Sequence, residues 1–135
     1  MNNRPIKISI ELEDNWAVQG FRNFIKLLLS EPTKYEVFII SNDDSAAYIT
    51  SVGTGLGLDT SHIIICNFVA DKIQAITDNN IQIHLDNLQS FILLVDETTD
   101  AQGILFTTNL NKYYLEPDYV ITFKRIVKEI EDEQT

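Results

Sequence analysis

The chain reads as a three-layer α/β domain: a parallel sheet of about five strands with helices on both faces. Three observations predict this. Short strand-like segments alternate with amphipathic helical ones from end to end, the pattern of a parallel sheet covered on both sides. Two of the strand segments, Tyr35 to Ile40 and Ile63 to Ile65, are almost continuously apolar, as strands buried on both faces are. The length, 135 residues, suits one domain with its own core and leaves no room for a second.

In order along the chain, Ile6-Lys7-Ile8-Ser9-Ile10-Glu11-Leu12-Glu13 alternates apolar and polar residues and reads as the first strand. Asp14 and Asn15 are placed to cap a helix over Trp16 to Ser30. There Val18, Phe21, Phe24, Ile25, Leu28 and Leu29 recur at helical spacing, and Glu31-Pro32 ends the run. The second strand, Tyr35 to Ile40, stops at the polar cluster Ser41-Asn42-Asp43-Asp44. A short helix is expected from Ser45 to about Val52, punctuated at its end by Gly53, Gly55 and Gly57. Ile63 to Ile65 is the third strand and Val69 to Thr77 the next helix. Ile81 to Leu85 is the fourth strand, Leu88 to about Val95 a helix, and Gly103 to Phe106 a shorter fifth strand. A closing helix is expected from Val120 to about Glu131. No repeat, linker or low-complexity segment interrupts the pattern.

The totals narrow the function classes. A net charge of −10 repels phosphate backbones and attracts divalent cations, so nucleic acid is not an expected partner. The single cysteine, Cys66, allows no internal disulfide and fits a cytoplasmic setting. The segment Met1 to Lys7 lacks the apolar core of a signal peptide, and no apolar run is long enough to span a bilayer, so no membrane partner is expected.

Ligands of open parallel sheets bind beyond the carboxyl ends of the strands. The residues to watch are therefore those just after each strand. The first strand delivers Glu11 and Glu13, which share a face because they are two apart. The second delivers Ser41 and Asn42, and the fourth delivers Asp86 and Asn87. Lys72, at the start of the third helix, lies near the same rim.

This order of acidic pair, Ser, Lys and Asp resembles the four motifs of the haloacid dehalogenase (HAD) superfamily. The segments that carry the resemblance are Ile8-Ser9-Ile10-Glu11-Leu12-Glu13-Asp14, Phe38-Ile39-Ile40-Ser41-Asn42, Ala70-Asp71-Lys72-Ile73 and Ile83-His84-Leu85-Asp86-Asn87. Together they thread through nearly the whole chain. The resemblance implies a Rossmann-like, HAD-like fold and the chemistry of a Mg²⁺-dependent phosphohydrolase. It places Glu11 at the nucleophile position and Glu13 at the acid/base position. It implies a phosphate held by Ser41, Asn42 and Lys72, and Mg²⁺ held by Glu11, Glu13, Asp86 and Asn87.

The departures carry equal weight. The family has Asp at both acidic positions of its first motif, whereas this chain has Glu, and Asp14-Asn15 stands where Gly-Thr is usual. Between the first two motifs there is one helix, so the substrate-selecting cap of many relatives is not expected. Glu is one methylene longer than Asp, and a displacement near 1 Å costs on the order of 100-fold in a reaction that needs in-line contact at about 3–3.5 Å. The longer side chain is also expected to enter the phosphate space and pair with Lys72.

The expectation is a domain impaired in catalysis that binds a cation, a small phosphorylated molecule or a protein partner. Two alternatives stand beside it, an active Mg²⁺-dependent phosphatase and a receiver-like signalling domain. Receiver-like domains carry their Lys after the phosphoacceptor at the end of the last strand, whereas Lys72 precedes Asp86. Plainer readings remain open for each residue. Glu11 and Glu13 also suit solvated strand ends, Ser41 a helix cap, Lys72 a helix surface and Asp86 a turn that caps the next helix. His84 reads as structural and Cys66 as core. Gly53, Gly55 and Gly57 do not form a dinucleotide-binding fingerprint.

Overall fold

In a computed structural model, which describes residues 4–12, 19–42, 46–106 and 118–134, strands and helices alternate as expected. The elements are β1 (Ile6–Ile10), α1 (Gln19–Leu29), β2 (Tyr35–Ser41), α2 (Ala46–Gly55), β3 (Ile63–Ile65), α3 (Val69–Asp78), β4 (Ile83–Asp86), α4 (Gln89–Thr98), β5 (Gln102–Leu105) and α5 (Asp118–Gln134). A single 3₁₀ turn, Thr60–His62, leads into β3. Glu13, Asp14, Asn15, Trp16, Val18, Asp43, Asp44 and Ser45 lie outside the described residues.

All five strands pair in parallel, in the order β3-β2-β1-β4-β5. The chain builds outward from β1 to β2 and β3, then crosses to the other side of β1 to form β4 and β5. The strand order therefore reverses between β1 and β4, and the carboxyl ends of these two strands flank the crevice where such sheets bind ligands.

Because successive strand residues face opposite ways, the sheet has two distinct cores. On one face Ile6, Ile8 and Ile10 of β1 join Val37, Ile39, Ile83, Leu85 and Ile104. The stripe Phe21, Phe24, Ile25 and Leu28 of α1 packs there, with Ile49 of α2 and Tyr119, Phe123, Ile126, Val127 and Ile130 of α5. Aromatic edges lock α1 to α5, with Phe24 meeting Tyr119 at 5.6 Å and Phe123 at 5.1 Å. On the other face Phe38 and Ile40 of β2 pack with Ala75 and Ile76 of α3 and with Phe91 and Val95 of α4. No helix among the described residues is long and apolar enough to cross a membrane.

Several element ends differ from expectation. The first strand ends at Ile10 rather than Glu13, although the Glu11 N–H still donates to the Leu85 carbonyl at 3.0 Å. β4 starts at Ile83 rather than Ile81, because the Ile81 N–H closes back on Ile76 after α3. Just before β4, the Gln82 side chain accepts the Lys7 N–H at 3.1 Å and the Gln82 N–H donates to the Lys7 carbonyl at 2.9 Å. Between α3 and β4 the chain reverses through Asn80 at φ 54°, a left-handed position that Asn tolerates better than most residues. α2 runs through Gly53 to Gly55, beyond the expected end near Val52, and Gly57 at φ 87° completes the exit. α4 continues to Thr98 rather than stopping near Val95.

Gly103 lets β5 lie close against α4. A Cβ there would sit 2.9 Å from Ile92 Cγ2 and 3.2 Å from the Ile92 carbonyl oxygen. Gly103→Ala is expected to lower unfolding stability by about 1–3 kcal/mol, the usual cost of overpacking, as read from urea unfolding followed by circular dichroism.

Candidate functional site

Glu11 follows the end of β1, and its main chain is tied to β4 through Leu85. Ser41 ends β2, where its carbonyl accepts the Cys66 N–H at 2.7 Å. Asp86 ends β4, where its carbonyl accepts the Phe106 N–H at 2.7 Å. Lys72 is the fourth residue of α3, on the same helical stripe as the buried Ala75 and Ile76. The parallel sheet thus brings residues from four chain segments to one edge, at the crevice between β1 and β4.

None of these side chains is solvated. Glu11, Ser41 and Asp86 are 0% exposed and Lys72 is 1% exposed. The Lys72 ammonium bridges the two carboxylates, 2.6 Å from Glu11 Oε1 and 2.7 Å from Asp86 Oδ2. It also lies 4.3 Å from the centre of the Phe91 ring, a favourable place for a cation shielded from water. Ser41 Oγ donates to Glu11 Oε2, and the Asn42 N–H donates to Glu11 Oε1 at 3.2 Å. A longer contact of 3.5 Å joins Lys72 Nζ to Asn42 Oδ1.

A second layer lies behind Asp86. His84 Nε2 sits 3.0 Å from Asp86 Oδ2, and Ser9 Oγ sits 2.6 Å from His84 Nδ1. Ser9 and His84 are register partners on β1 and β4, both 0% exposed. Burial above all pushes the His84 pKa down from 6.5, despite the pull of Asp86 towards the charged form. For a neutral ring, Nε2–H donates to Asp86 and Nδ1 accepts from the Ser9 hydroxyl. Burial alone would raise the Asp86 pKa. The hydrogen bond from His84 and the charge of Lys72 outweigh it and bring the pKa to about 2. The other oxygen, Oδ1, accepts the Leu88 N–H at 3.0 Å. Ser9, His84 and Asp86 have the composition of a nucleophilic triad. Full burial of the hydroxyl denies it a substrate, so the chain serves to orient Asp86 as a carboxylate.

The plainer readings can now be separated. Glu11 is not a solvated strand end and Lys72 is not a surface residue. Ser41 closes β2, and its hydroxyl donates to Glu11 Oε2. Asp86 braces the turn before α4 with one oxygen and pairs with Lys72 through the other. Glu13 lies outside the described residues. Asn87 Oδ1 is buried and finds no hydrogen-bond partner among them. The contributors that motif reading left out are Ser9 and Phe91, while His84 was expected only as a structural residue. The available signal was alternation: Ser9 with Glu11, and His84 with Asp86, place polar groups two apart on one face of β1 and β4, opposite apolar neighbours on the other.

The donor set decides what can be held here. Each carboxylate oxygen of Glu11 and Asp86 already accepts an N–H or O–H, and the ammonium stands between them. Mg²⁺ demands octahedral oxygen ligands at about 2.0–2.1 Å, which this arrangement does not offer. Among the described residues, no group of three or more His, Cys, Asp or Glu side chains is placed to hold a metal ion. Phe68, Val69 and Leu88, just after β3 and β4, stay exposed.

Both His84 and Asp86 bind protons less readily folded than unfolded, so acid weakens the fold through each. Their contributions are complete above about pH 6.5. They decline first as His84 of the unfolded chain protonates, then from pH 3.8 towards about 2 through Asp86. The slope is at most about 1.4 kcal/mol per pH unit for each group. Urea unfolding at a series of pH values should show His84→Gln flattening the upper part of this decline and Asp86→Asn the lower part. Compared with known proteins, the chain matches no family model and no curated protein.

Proposed function

We propose that the chain is a HAD-like domain impaired in phosphoryl transfer, which acts by binding and whose phosphate-holding donors are engaged by its own Glu11. The observation that carries this reading is the set of bonds around the Glu11 carboxylate. Lys72 Nζ, Ser41 Oγ and the Asn42 N–H are the donors that the family resemblance assigns to phosphate, and all three converge on Glu11. A carboxylate held this way serves as an internal mimic of a substrate anion. Its oxygens are spent on hydrogen bonds that lower its nucleophilicity, and its length fills the space needed for in-line attack.

The strand order supports the same reading. It sets the first and fourth strands side by side, so that the acid after β1 and the acid ending β4 flank one crevice. The site's closure favours binding over turnover, since an incoming phosphoryl group must displace Glu11 from all three donors. A ligand that does so would be a small phosphorylated molecule or a phosphoryl-bearing protein, and the exposed Phe68, Val69 and Leu88 on the same rim would give it apolar contact.

Shortening the side chain tests the reading. The native chain should hydrolyse a generic aryl phosphate no faster than buffer, with or without added Mg²⁺. Glu11→Asp withdraws the carboxylate by one methylene and releases the donors, so its turnover should exceed the native rate by about 100-fold or more. Native turnover at or above the Glu11→Asp rate, abolished in Glu11→Gln, would instead identify a working phosphatase.

A further inference from the structure

We propose that the groove between α1 and α5 is a ligand site of its own, and that it takes a small amphipathic anion, an apolar chain ending in a carboxylate. The groove lies where Tyr35 opens β2, whereas the crevice lies where Ser41 closes it. None of its residues belongs to the Glu11 cluster, so the inference stands apart from the preceding reading.

Shape supports it first. The groove holds about 430 Å³, within the range of about 300–1,000 Å³ usual for small-molecule sites. Its floor is built by Phe24 and Leu28 of α1, Phe123 and Val127 of α5, and Tyr35. Each of these five side chains is at most 8% exposed. The rings brace one another, with Phe123 lying 5.1 Å from Phe24 and 5.7 Å from Tyr35, so the floor is fixed before a ligand arrives. Leu27, 59% exposed, extends the apolar surface to the mouth. A floor of this kind suits an acyl chain better than a wholly polar molecule.

The rim decides the sign of the head group. Lys34, Lys124 and Lys128 border the groove, together with Glu31 and Glu131. The two acids gather about Lys34. Glu131 pairs with it at 3.6 Å, and Glu31 shares its turn, where the Glu31 carbonyl accepts the Lys34 N–H at 3.0 Å. Lys124 and Lys128 stand four residues apart on α5, so they rise from one face of the helix and repel one another. Lys128 makes no hydrogen bond or ion pair among the described residues. A carboxylate offers one oxygen to each ammonium and relieves the repulsion, whereas a cation placed there adds to it. The net charge of −10 opposes an anion only weakly here, because screening confines exposed charges to about 8 Å at physiological ionic strength.

Calorimetric titration of the full chain with octanoate, octan-1-ol and octylamine, each kept monomeric, tests this. Octanoate should bind with a Kd below about 1 mM, octan-1-ol about 10-fold more weakly and octylamine more weakly still. Lys124→Gln/Lys128→Gln should weaken octanoate by about 10-fold and leave octan-1-ol unchanged, a split that a general loss of structure does not produce. In methyl NMR spectra, octanoate should shift the resonances of Leu28 and Val127 and leave those of Val69 and Leu88, beside the crevice, in place.

Equal affinity for octanoate and octan-1-ol overturns the proposal, as does octanoate binding that survives the double lysine variant. Absence of octanoate binding at about 10 mM overturns it as well. So does self-association through this face: a dimer in sedimentation that Leu27→Glu disperses would show that a second copy of the chain covers the groove.

Discussion

A lysine ammonium buried between two carboxylates is costly to build. Removing each charge from water costs several kcal/mol even after the protein relaxes, and attraction offsets this only when the remaining lone pairs and protons find partners. Here they do. Lys72 reaches both carboxylates and a ring face, Glu11 takes bonds from Ser41 and Asn42, and Asp86 takes bonds from His84 and Leu88. The rest of the architecture follows from that requirement, because the partners come from β1, β2, α3, β4 and the turn after β4. No two consecutive elements supply the set, and the strand order, reversing between β1 and β4, gathers it at one crevice.

The reversal also divides the labour of the two faces. The face under α1, α2 and α5 is apolar and holds most of the aromatic packing. The face under α3 and α4 carries a polar seam along β1 and β4, in which Ser9 and His84 pair and lead to Asp86. Buried polar groups are tolerated when each member of the network is satisfied, and this seam meets that condition from Ser9 to Lys72. The result is a carboxylate with a pKa near 2 in a place where burial alone would raise it, beside an imidazole whose pKa burial lowers.

Much of the fold was legible from the chain alone. The alternation of strands and helices, the apolar run Tyr35–Ile40 and the apolar stripe of α1 are local patterns, and they appear where periodicity places them; Ile63–Ile65 also forms a strand, but as the edge strand β3 it is only half-buried rather than covered on both faces. Element ends were less legible. β4 begins at Ile83 because the Ile81 N–H closes on Ile76, while Gln82 binds Lys7, 75 residues away, and the close approach of Ile63 and Ile39 leaves room only for glycine at position 53 of α2. The partners from distant segments are ones that no local window contains.

For the site, the sequence by itself determined which residue types stand at the strand ends: Glu11, Ser41, Asn42 and Asp86, with Lys72 one helix away. Their order in the chain was enough to set them on one rim of a parallel sheet. Only the tertiary structure decided what they do to one another there. Burial turned Lys72 from a surface lysine into the bridge between two acids, and drew His84 and Ser9 in as supports for Asp86. It directed the Ser41 hydroxyl, the Asn42 N–H and the Lys72 ammonium onto Glu11. The physical reason is that hydrogen bonding and desolvation are properties of positions in three dimensions. A carboxylate in the sequence is a charge, and only its neighbours in space make it a nucleophile, a metal ligand or, as in this arrangement, the acceptor on which the buried donors around it converge.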